Sequence, residues 1–169
     1  MQSENTAKRI LEFASHLDGI DVEILRQGLE ISRLHRQIEQ RFEHDWAQWG
    51  LSAVQVRILM SLFHNDEGTM TPALLSEEAI LTRSAMTGAL DSLEKLGHLE
   101  RRRHAEDRRK VAVCLTPSGR AFLREHLPSL YRKIHRLMSH LTQQERAFFQ
   151  RAYRKMLDLL VSDLLEDRK

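Results

Sequence analysis

The sequence predicts a mainly α-helical protein that carries one small β-hairpin. Only 7 of the 169 residues are glycine and 3 are proline, so few positions interrupt helices. Apolar residues recur at helical spacings along most of the chain, whereas residues 99 to 115 show the alternation of strands. At this length, with 41% hydrophobic residues, the chain can bury one core.

Two helices are predicted in the first part of the chain. From Ile20 to Trp46 the apolar residues follow spacings of three, four and seven, which indicates a long amphipathic helix that Gly50 ends. Ser52 to Gln55 has the pattern of a capping box and opens a second helix. The inward face of this second helix is predicted to consist of Val54, Ile58, Leu59 and Leu62.

Two short helices follow. Thr71 before Pro72 is a typical N-cap with proline at the first helical position, and this helix is predicted to end near Ile80. Thr82 is the N-cap of the next helix, which Gly97 ends. Its apolar face is predicted to comprise Met86, Leu90, Leu93 and Leu96. Two short capped helices with a tight turn between them predict a helix-turn-helix.

The hairpin follows directly after this helix-turn-helix. Leu99 to Arg103 and Val111 to Leu115 read as two strands around a polar turn. In the second strand, one face is predicted to carry Val111, Val113 and Leu115. The other face is predicted to carry Ala112 and Cys114. A hairpin in this position is the wing of a winged helix, so the fold class is a winged helix-turn-helix lobe with additional helices.

The C-terminal part is predicted to be helical as well. Thr116 before Pro117 starts one helix, which Pro128 is expected to kink or interrupt. Thr142 to Glu145 is a further capping-box pattern, and it opens a last helix that reaches Leu165.

Positive charge is concentrated in the winged lobe. The stretch from Thr82 to Arg124 holds ten basic and five acidic residues, a surplus of five, although the whole chain carries only +2. The rest of the chain is therefore net negative by three charges. Six of the ten residues from Arg101 to Lys110 are Lys or Arg. This asymmetry indicates a local anionic partner such as DNA.

Candidate DNA contacts divide between helix and wing. Arg83, Ser84 and Thr87 begin the outward face of the second short helix, and Arg83 is suited to bidentate bonding with a guanine. A wing arginine suits the minor groove, and Asp107 is expected to hold a neighbouring arginine extended. The residues predicted to bind DNA are Thr71, Thr82, Arg83, Ser84, Thr87, Arg103, Asp107, Arg108, Arg109 and Lys110.

The segment from Leu51 to Phe122 resembles the multiple-antibiotic-resistance regulator (MarR) family. The matching motifs are Leu51-Ser52 with Gln55, Leu81-Thr82-Arg83-Ser84 with Thr87, Leu93-Glu94-Lys95-Leu96-Gly97 before Arg101-Arg102, Asp107-Arg108-Arg109, and Leu115-Thr116-Pro117-Ser118-Gly119. The sequence departs from the family at Gly88 and Ser92, where members often carry a basic side chain.

The resemblance implies a homodimeric transcriptional regulator that reads a pseudo-palindromic operator in double-stranded DNA. It places the wing arginine at Arg109 and its bracing acid at Asp107. Residues 1–50 are expected to form an N-terminal extension and a dimerisation helix, residues 51–116 the winged lobe, and residues 117–169 the helices that complete the dimerisation region. It further implies a repressor that a small aromatic or phenolic effector releases. Trp46, Trp49 and Arg57 are candidates for lining the effector cleft, although such aromatics are more often part of a core.

Other classes of function have weaker support in the sequence. A metal sensor is one alternative, suggested by His35, His44 and His64. The three histidines do not have a spacing typical of metal ligands. Cys114, the single cysteine, raises a redox sensor, although a small strand residue is the better interpretation. A protein-docking winged helix has no use for a basic turn, and no catalytic motif or cofactor fingerprint indicates an enzyme. Without a membrane span or signal peptide, the protein is expected in the cytoplasm.

Overall fold

The computed structural model of the chain describes residues 2–66, 68–79, 82–103 and 111–166, without the side chains of 2–4, 83, 103 and 163–166. In chain order, the elements are α1 (Gln2–Ala14), α2 (Val22–Gln48), α3 (Ala53–His64), β1 (Thr69–Met70), α4 (Pro72–Glu78), α5 (Arg83–Lys95), β2 (Leu99–Arg103), β3 (Val111–Leu115), α6 (Pro117–Ser139) and α7 (Gln143–Glu166). The predicted class is confirmed: a mainly helical protein with a small sheet. In these parts of the chain, no helix combines the length and apolar character needed to cross a membrane.

The starts of α3 to α7 follow the N-caps that the sequence predicted. Both capping boxes form: Ser52 exchanges hydrogen bonds with Gln55, and Thr142 does so with Glu145. The long helix begins at Val22 rather than at Ile20, because the carboxylate of Asp21 accepts the first free backbone N–H groups. The N-terminal extension contains an additional helix, α1, which no pattern in the sequence had predicted.

Both predicted strands have the expected bounds, but the sheet has three strands. β1 pairs antiparallel with β3, and the strand order is β1-β3-β2. A strand of two residues shows too little alternation to be recognised in a sequence. Cys114 is buried in the middle strand, where the hydroxyl of Thr69 donates to its Sγ at 3.3 Å. It is therefore a small packed residue of the sheet.

The core of the winged lobe lies between α3, α5, α6 and the sheet. Its residues include Ile58, Leu59, Leu62, Met86, Leu90, Leu93, Val113, Leu123 and Leu127. Leu96 was wrongly assigned to the apolar face of α5: it is 50% exposed because the helix ends at Lys95 and Leu96 is its C-cap. Pro128 lies inside α6 without interrupting it.

The start of α6 is fastened to the loop that enters β2. The hydroxyl of Thr116 donates to the carbonyl of Gly97 at 2.6 Å and accepts the N–H of Gly119 at 2.9 Å. The N–H of Thr116 donates to the carbonyl of His98 at 3.1 Å. Gly119 packs so closely on His98 that an added Cβ would lie 2.0 Å from its carbonyl oxygen. The wing and α6 are thereby held as one unit.

A row of aromatic rings continues from this contact towards α2. The rings of His98 and Phe122 lie 4.5 Å apart, those of Phe122 and His126 stack at 4.2 Å, and Trp49 meets His126 edge-on at 5.2 Å. Burial lowers the pKa of His98, and the neighbouring His126 lowers this pKa further. The row links the wing to the end of the long helix.

Candidate DNA-binding surface

Helices α4 and α5 form the predicted helix-turn-helix. The Thr71 hydroxyl accepts the N–H of Leu74 at 3.3 Å at the start of α4, and the Thr82 hydroxyl accepts the N–H of Ala85 at the same distance at the start of α5. Two of the three threonines predicted to contact DNA, Thr71 and Thr82, are thus N-caps. A hydroxyl that accepts a backbone N–H still has a proton to donate, so capping and phosphate binding are compatible.

Helix α5 has one buried face and one exposed face. Met86, Leu90 and Leu93 are at most 2% exposed. Ser84 and Thr87 lie on the exposed side, as predicted, with the Ser84 hydroxyl 3.3 Å from that of Thr82. Arg83 is the first residue of the helix, and its side chain lies outside the described residues. The exposed helix start can reach base edges and phosphates together.

The far half of α5 is tied to α3. The side-chain amide of Gln55 donates to the hydroxyl of Ser92 at 2.8 Å, in a half-buried position. Ser92 stands where a basic residue was expected from the family pattern, and the structure gives it a different task. It holds α5, the helix predicted to enter the major groove and named the recognition helix, against the lobe and presents no charge to solvent.

Arg101 on β2 contacts the recognition helix. Its guanidinium donates to Glu94 and to Asp91, each at 2.6 Å, and its backbone N–H donates to Glu94 at 3.0 Å. Partial burial alone would lower the pKa of Arg101, but the hydrogen bonds that its guanidinium donates to Asp91 and Glu94 outweigh this effect, so the pKa is raised. Sequence reasoning missed this cluster, although the spacing of Asp91 and Glu94 places both acids on one side of the helix.

The predicted wing contacts are only partly within the described residues. The backbone of Arg103 ends β2, but its side chain lies outside the description. Asp107, Arg108, Arg109 and Lys110 belong to residues 104–110, which also lie outside it. Their roles therefore remain predictions.

The comparisons with known proteins agree with this geometry. A sequence model of the MarR family matches residues 49–110. The transcriptional repressor YetL of Bacillus subtilis is 33% identical over 142 residues, which cover 84% of this chain and 85% of YetL. The chain belongs to the MarR family. Members are DNA-binding transcriptional regulators, so this protein is a regulator and not an enzyme.

Solved structures give the same fold. AbsC, a MarR-family regulator from Streptomyces coelicolor, superposes with a TM-score of 0.73 at 20% identity, covering 86% of this chain and 97% of AbsC. A cysteine-to-serine mutant of MarR from Escherichia coli, in complex with operator DNA, superposes with a TM-score of 0.68 at 26% identity and covers 80% of this chain and 96% of MarR. The winged-helix architecture of this MarR-family chain is confirmed.

This MarR-family protein has a groove between α2 and α6, beside one of the two tryptophans. The groove has a volume of about 540 Å³ and is lined by Asp45, Gln48, Trp49, Ser129, Leu130, Arg132, Lys133 and Arg136. The ammonium group of Lys133 is paired with Asp45. Trp46 and Trp49 both pack against the core, and Arg57 donates to the carbonyl of Ala53 in its own helix at 3.5 Å. Of the three effector candidates, only Trp49 lines this groove.

The three histidines that were candidates for a metal sensor, His35, His44 and His64, do not converge. Each of the three candidates has a separate polar neighbour: Glu39 for His35, Gln48 for His44 and Tyr131 for His64. Among the residues described, no group of three or more His, Cys, Asp and Glu side chains is placed to hold a metal ion. Within the part of the chain that the structure describes, no site supports the metal-responsive or the redox-responsive alternative.

Proposed function

We propose that this MarR-family protein is a homodimeric repressor that binds a pseudo-palindromic operator in double-stranded DNA. The observation that carries the proposal is the asymmetry of α5, whose start presents Ser84 and Thr87 to solvent while its other face is buried in the lobe. YetL is itself a repressor, and MarR has been solved on its operator, which supports the same action here. With chromosomal DNA as its partner, the protein is proposed to act in the cytoplasm.

The proposed contacts divide into reading and anchoring. Arg83 reads a base in the major groove, and Ser84 and Thr87 contact bases or phosphates beside it, with Thr71 and Thr82 on phosphates at the helix starts. In the wing, Arg109 enters the minor groove and Asp107 holds it extended. The remaining wing contacts are electrostatic, from Arg103, Arg108 and Lys110.

The proposed dimer is supported by apolar side chains that the single chain leaves exposed. They lie on the long helix and on the two C-terminal helices, at Ile24, Ile31, Leu34, Ile38, Ile134, Leu137, Phe148, Phe149, Met156, Leu157, Leu159, Leu160 and Val161. A face of this extent on several helices is typical of an interface between subunits. Pairing across a two-fold axis would present two winged lobes to two half-sites.

Three single substitutions test the division between reading and anchoring. Arg83→Ala is expected to cost about 1–3 kcal/mol on the cognate site and to relax preference at one position per half-site. Arg109→Ala is expected to lower the affinity for cognate and for scrambled DNA more evenly. It should also make the affinity less dependent on salt concentration, because a wing contact is mainly electrostatic. Asp107→Ala should weaken binding partly in the same way, because Arg109 loses its brace.

Binding isotherms on cognate and scrambled duplexes at several salt concentrations measure these effects. Lys155→Ala, a basic residue on α7 far along the chain from the lobe, is the control and should leave both isotherms nearly unchanged. If Arg83→Ala lowered the affinity for the cognate and the scrambled duplex equally, Arg83 would not contact a specific base. Tighter binding by Asp107→Ala would show that this acid repels DNA and braces nothing.

We further propose that a small aromatic acid releases the protein from DNA by binding beside Trp49. The indole offers a stacking surface, and Arg132 and Arg136 offer positive charge for a carboxylate. The groove lies where the helix leaving the winged lobe meets the long helix. A ligand that favours one spacing of the two lobes therefore changes DNA affinity.

Tryptophan fluorescence and DNA affinity test this effector. Benzoate, 2-hydroxybenzoate and phenol are added to the protein and to its DNA complex. The acids are expected to change the emission and to lower DNA affinity, and Arg136→Gln should weaken both effects. Trp49→Phe is expected to remove the emission change, whereas Trp46→Phe, the matched control, should keep it. If the acids and other lipophilic aromatics change neither signal, the proposed effector class is wrong.

A further inference from the structure

We propose that Arg101 is a positioning residue for DNA recognition: it holds the recognition helix α5 and the wing strand β2 in the relative orientation at which both reach one site. The inference rests on the proposed function in one respect, namely that α5 and the wing bind the same DNA molecule. Arg101 itself acts through Asp91 and Glu94 and makes no contact with DNA. Asp91, Glu94 and Arg101 together form the helix–wing bridge.

The helix–wing bridge joins the two elements at three points. Two separate nitrogens of the Arg101 guanidinium reach Asp91 and Glu94, each at 2.6 Å. The third point is the backbone: β3 pairs with one side of β2, and on the other side the Arg101 N–H donates to Glu94 at 3.0 Å. A planar guanidinium that bonds two carboxylates on one helix restricts rotation as well as separation.

The neighbouring arginine makes the assignment specific. Arg102 is paired with Glu100 in its own strand, and its side chain is 65% exposed, against 29% for Arg101. Among the ion pairs of the described residues, only those of Arg101 connect β2 to α5. On the other side of α5, the hydrogen bond from Gln55 to Ser92 provides a second anchor. The two anchors together keep the helix from rolling relative to the wing.

The positive charge of Arg101 is also balanced internally. Two acidic side chains on a recognition helix would repel phosphate, and Arg101 offsets part of this repulsion. Two interpretations of the residue then make opposite predictions. If Arg101 serves DNA directly, removing both acids frees its guanidinium and strengthens binding. If it positions the wing, removing both acids weakens binding although the lobe becomes more positive by two charges.

The double variant Asp91→Asn/Glu94→Gln tests whether removing both acids weakens or strengthens DNA binding. We expect its affinity for the cognate duplex to fall about tenfold, because the wing is no longer preorganised. Glu77→Gln/Glu78→Gln, on exposed positions of α4, is the matched control with the same change of charge, and it should bind as tightly as the parent or more tightly. Arg101→Lys should give an intermediate loss of DNA affinity, because a single ammonium group cannot bond both carboxylates in the fixed geometry of a planar guanidinium.

A second readout separates positioning from simple loss of stability. Arg109→Ala is introduced into the parent and into Asp91→Asn/Glu94→Gln, and the loss that it causes should be several-fold smaller in the bridge variant. Circular dichroism and the unfolding midpoint verify folding. Because the side chains of Asp91 and Glu94 are 52% and 39% exposed, the double variant is expected to fold. If it does not fold, the single variant Asp91→Asn replaces it in both experiments.

The outcomes are distinct. Binding by the folded bridge variant that equals or exceeds that of the α4 control would overturn the positioning role. An unchanged effect of Arg109→Ala in both backgrounds would overturn it as well. If Arg109→Ala has no effect in the parent, the proposed wing contact is wrong, and the sign of the bridge variant still decides whether Arg101 acts through α5.

Discussion

Replacing Gly119 with alanine is expected to destabilise the winged lobe by about 3 kcal/mol or more and to abolish operator binding under conditions where the parent binds. An added Cβ would lie 2.0 Å from the carbonyl oxygen of His98 and 2.8 Å from its carbonyl carbon. Both are backbone atoms, so no side-chain rotation relieves the contact. Either α6 or the start of β2 must move, and the hydrogen bonds of Thr116 that join them are lost.

Urea denaturation followed by circular dichroism measures this loss of stability. Gly88→Ala is the matched control, because an added Cβ at this helical glycine meets nothing within 4 Å. It is expected to stabilise the protein by up to about 1 kcal/mol through the higher helix propensity of alanine. A Gly119→Ala protein with the parental midpoint would contradict the close packing of α6 on His98.

The double variant Ile31→Glu/Ile38→Glu is expected to be monomeric and to bind the full operator roughly 100-fold more weakly than the parent. Both isoleucines are 48% exposed in the single chain and lie seven residues apart on α2, so they occupy one face of the helix. Four carboxylates across a two-fold interface would be unpaired and desolvated. A monomer then loses the gain of about 100-fold or more that comes from linking two half-site contacts.

Light scattering at micromolar concentration gives the assembly state, and the mass of one chain is 19.8 kDa. Ile31→Leu/Ile38→Leu retains the apolar face and is the control that should remain a dimer. Binding to an isolated half-site should be similar for the parent and the glutamate variant, because the lobes are intact. A parent protein that itself has the mass of one chain would remove the homodimer from the proposed function.

Local sequence signals were sufficient for the helix starts and for the hairpin. Thr71, Thr82 and Thr116 are N-caps because a side-chain hydroxyl satisfies an N–H only two or three residues away. The strand bounds of the hairpin were likewise predictable, because alternation and turn residues act within the same ten or so positions. The order of these elements identified the winged helix before any tertiary contact was known.

By itself, then, the sequence determined the helices from α2 to α7, the hairpin, their order, the outward position of Ser84 and Thr87 and the family, all of which depend on interactions between near neighbours. Only the tertiary structure decided the pairing of β1 with β3, the tie between Gln55 and Ser92, and the contact of Gly119 with His98. It also distinguished Arg101 from the neighbouring Arg102, since a count of charges cannot show which of them is neutralised by a partner on another element. The physical reason is that such contacts join residues distant in sequence, and burial and side-chain direction become defined only when the helices and the sheet pack together.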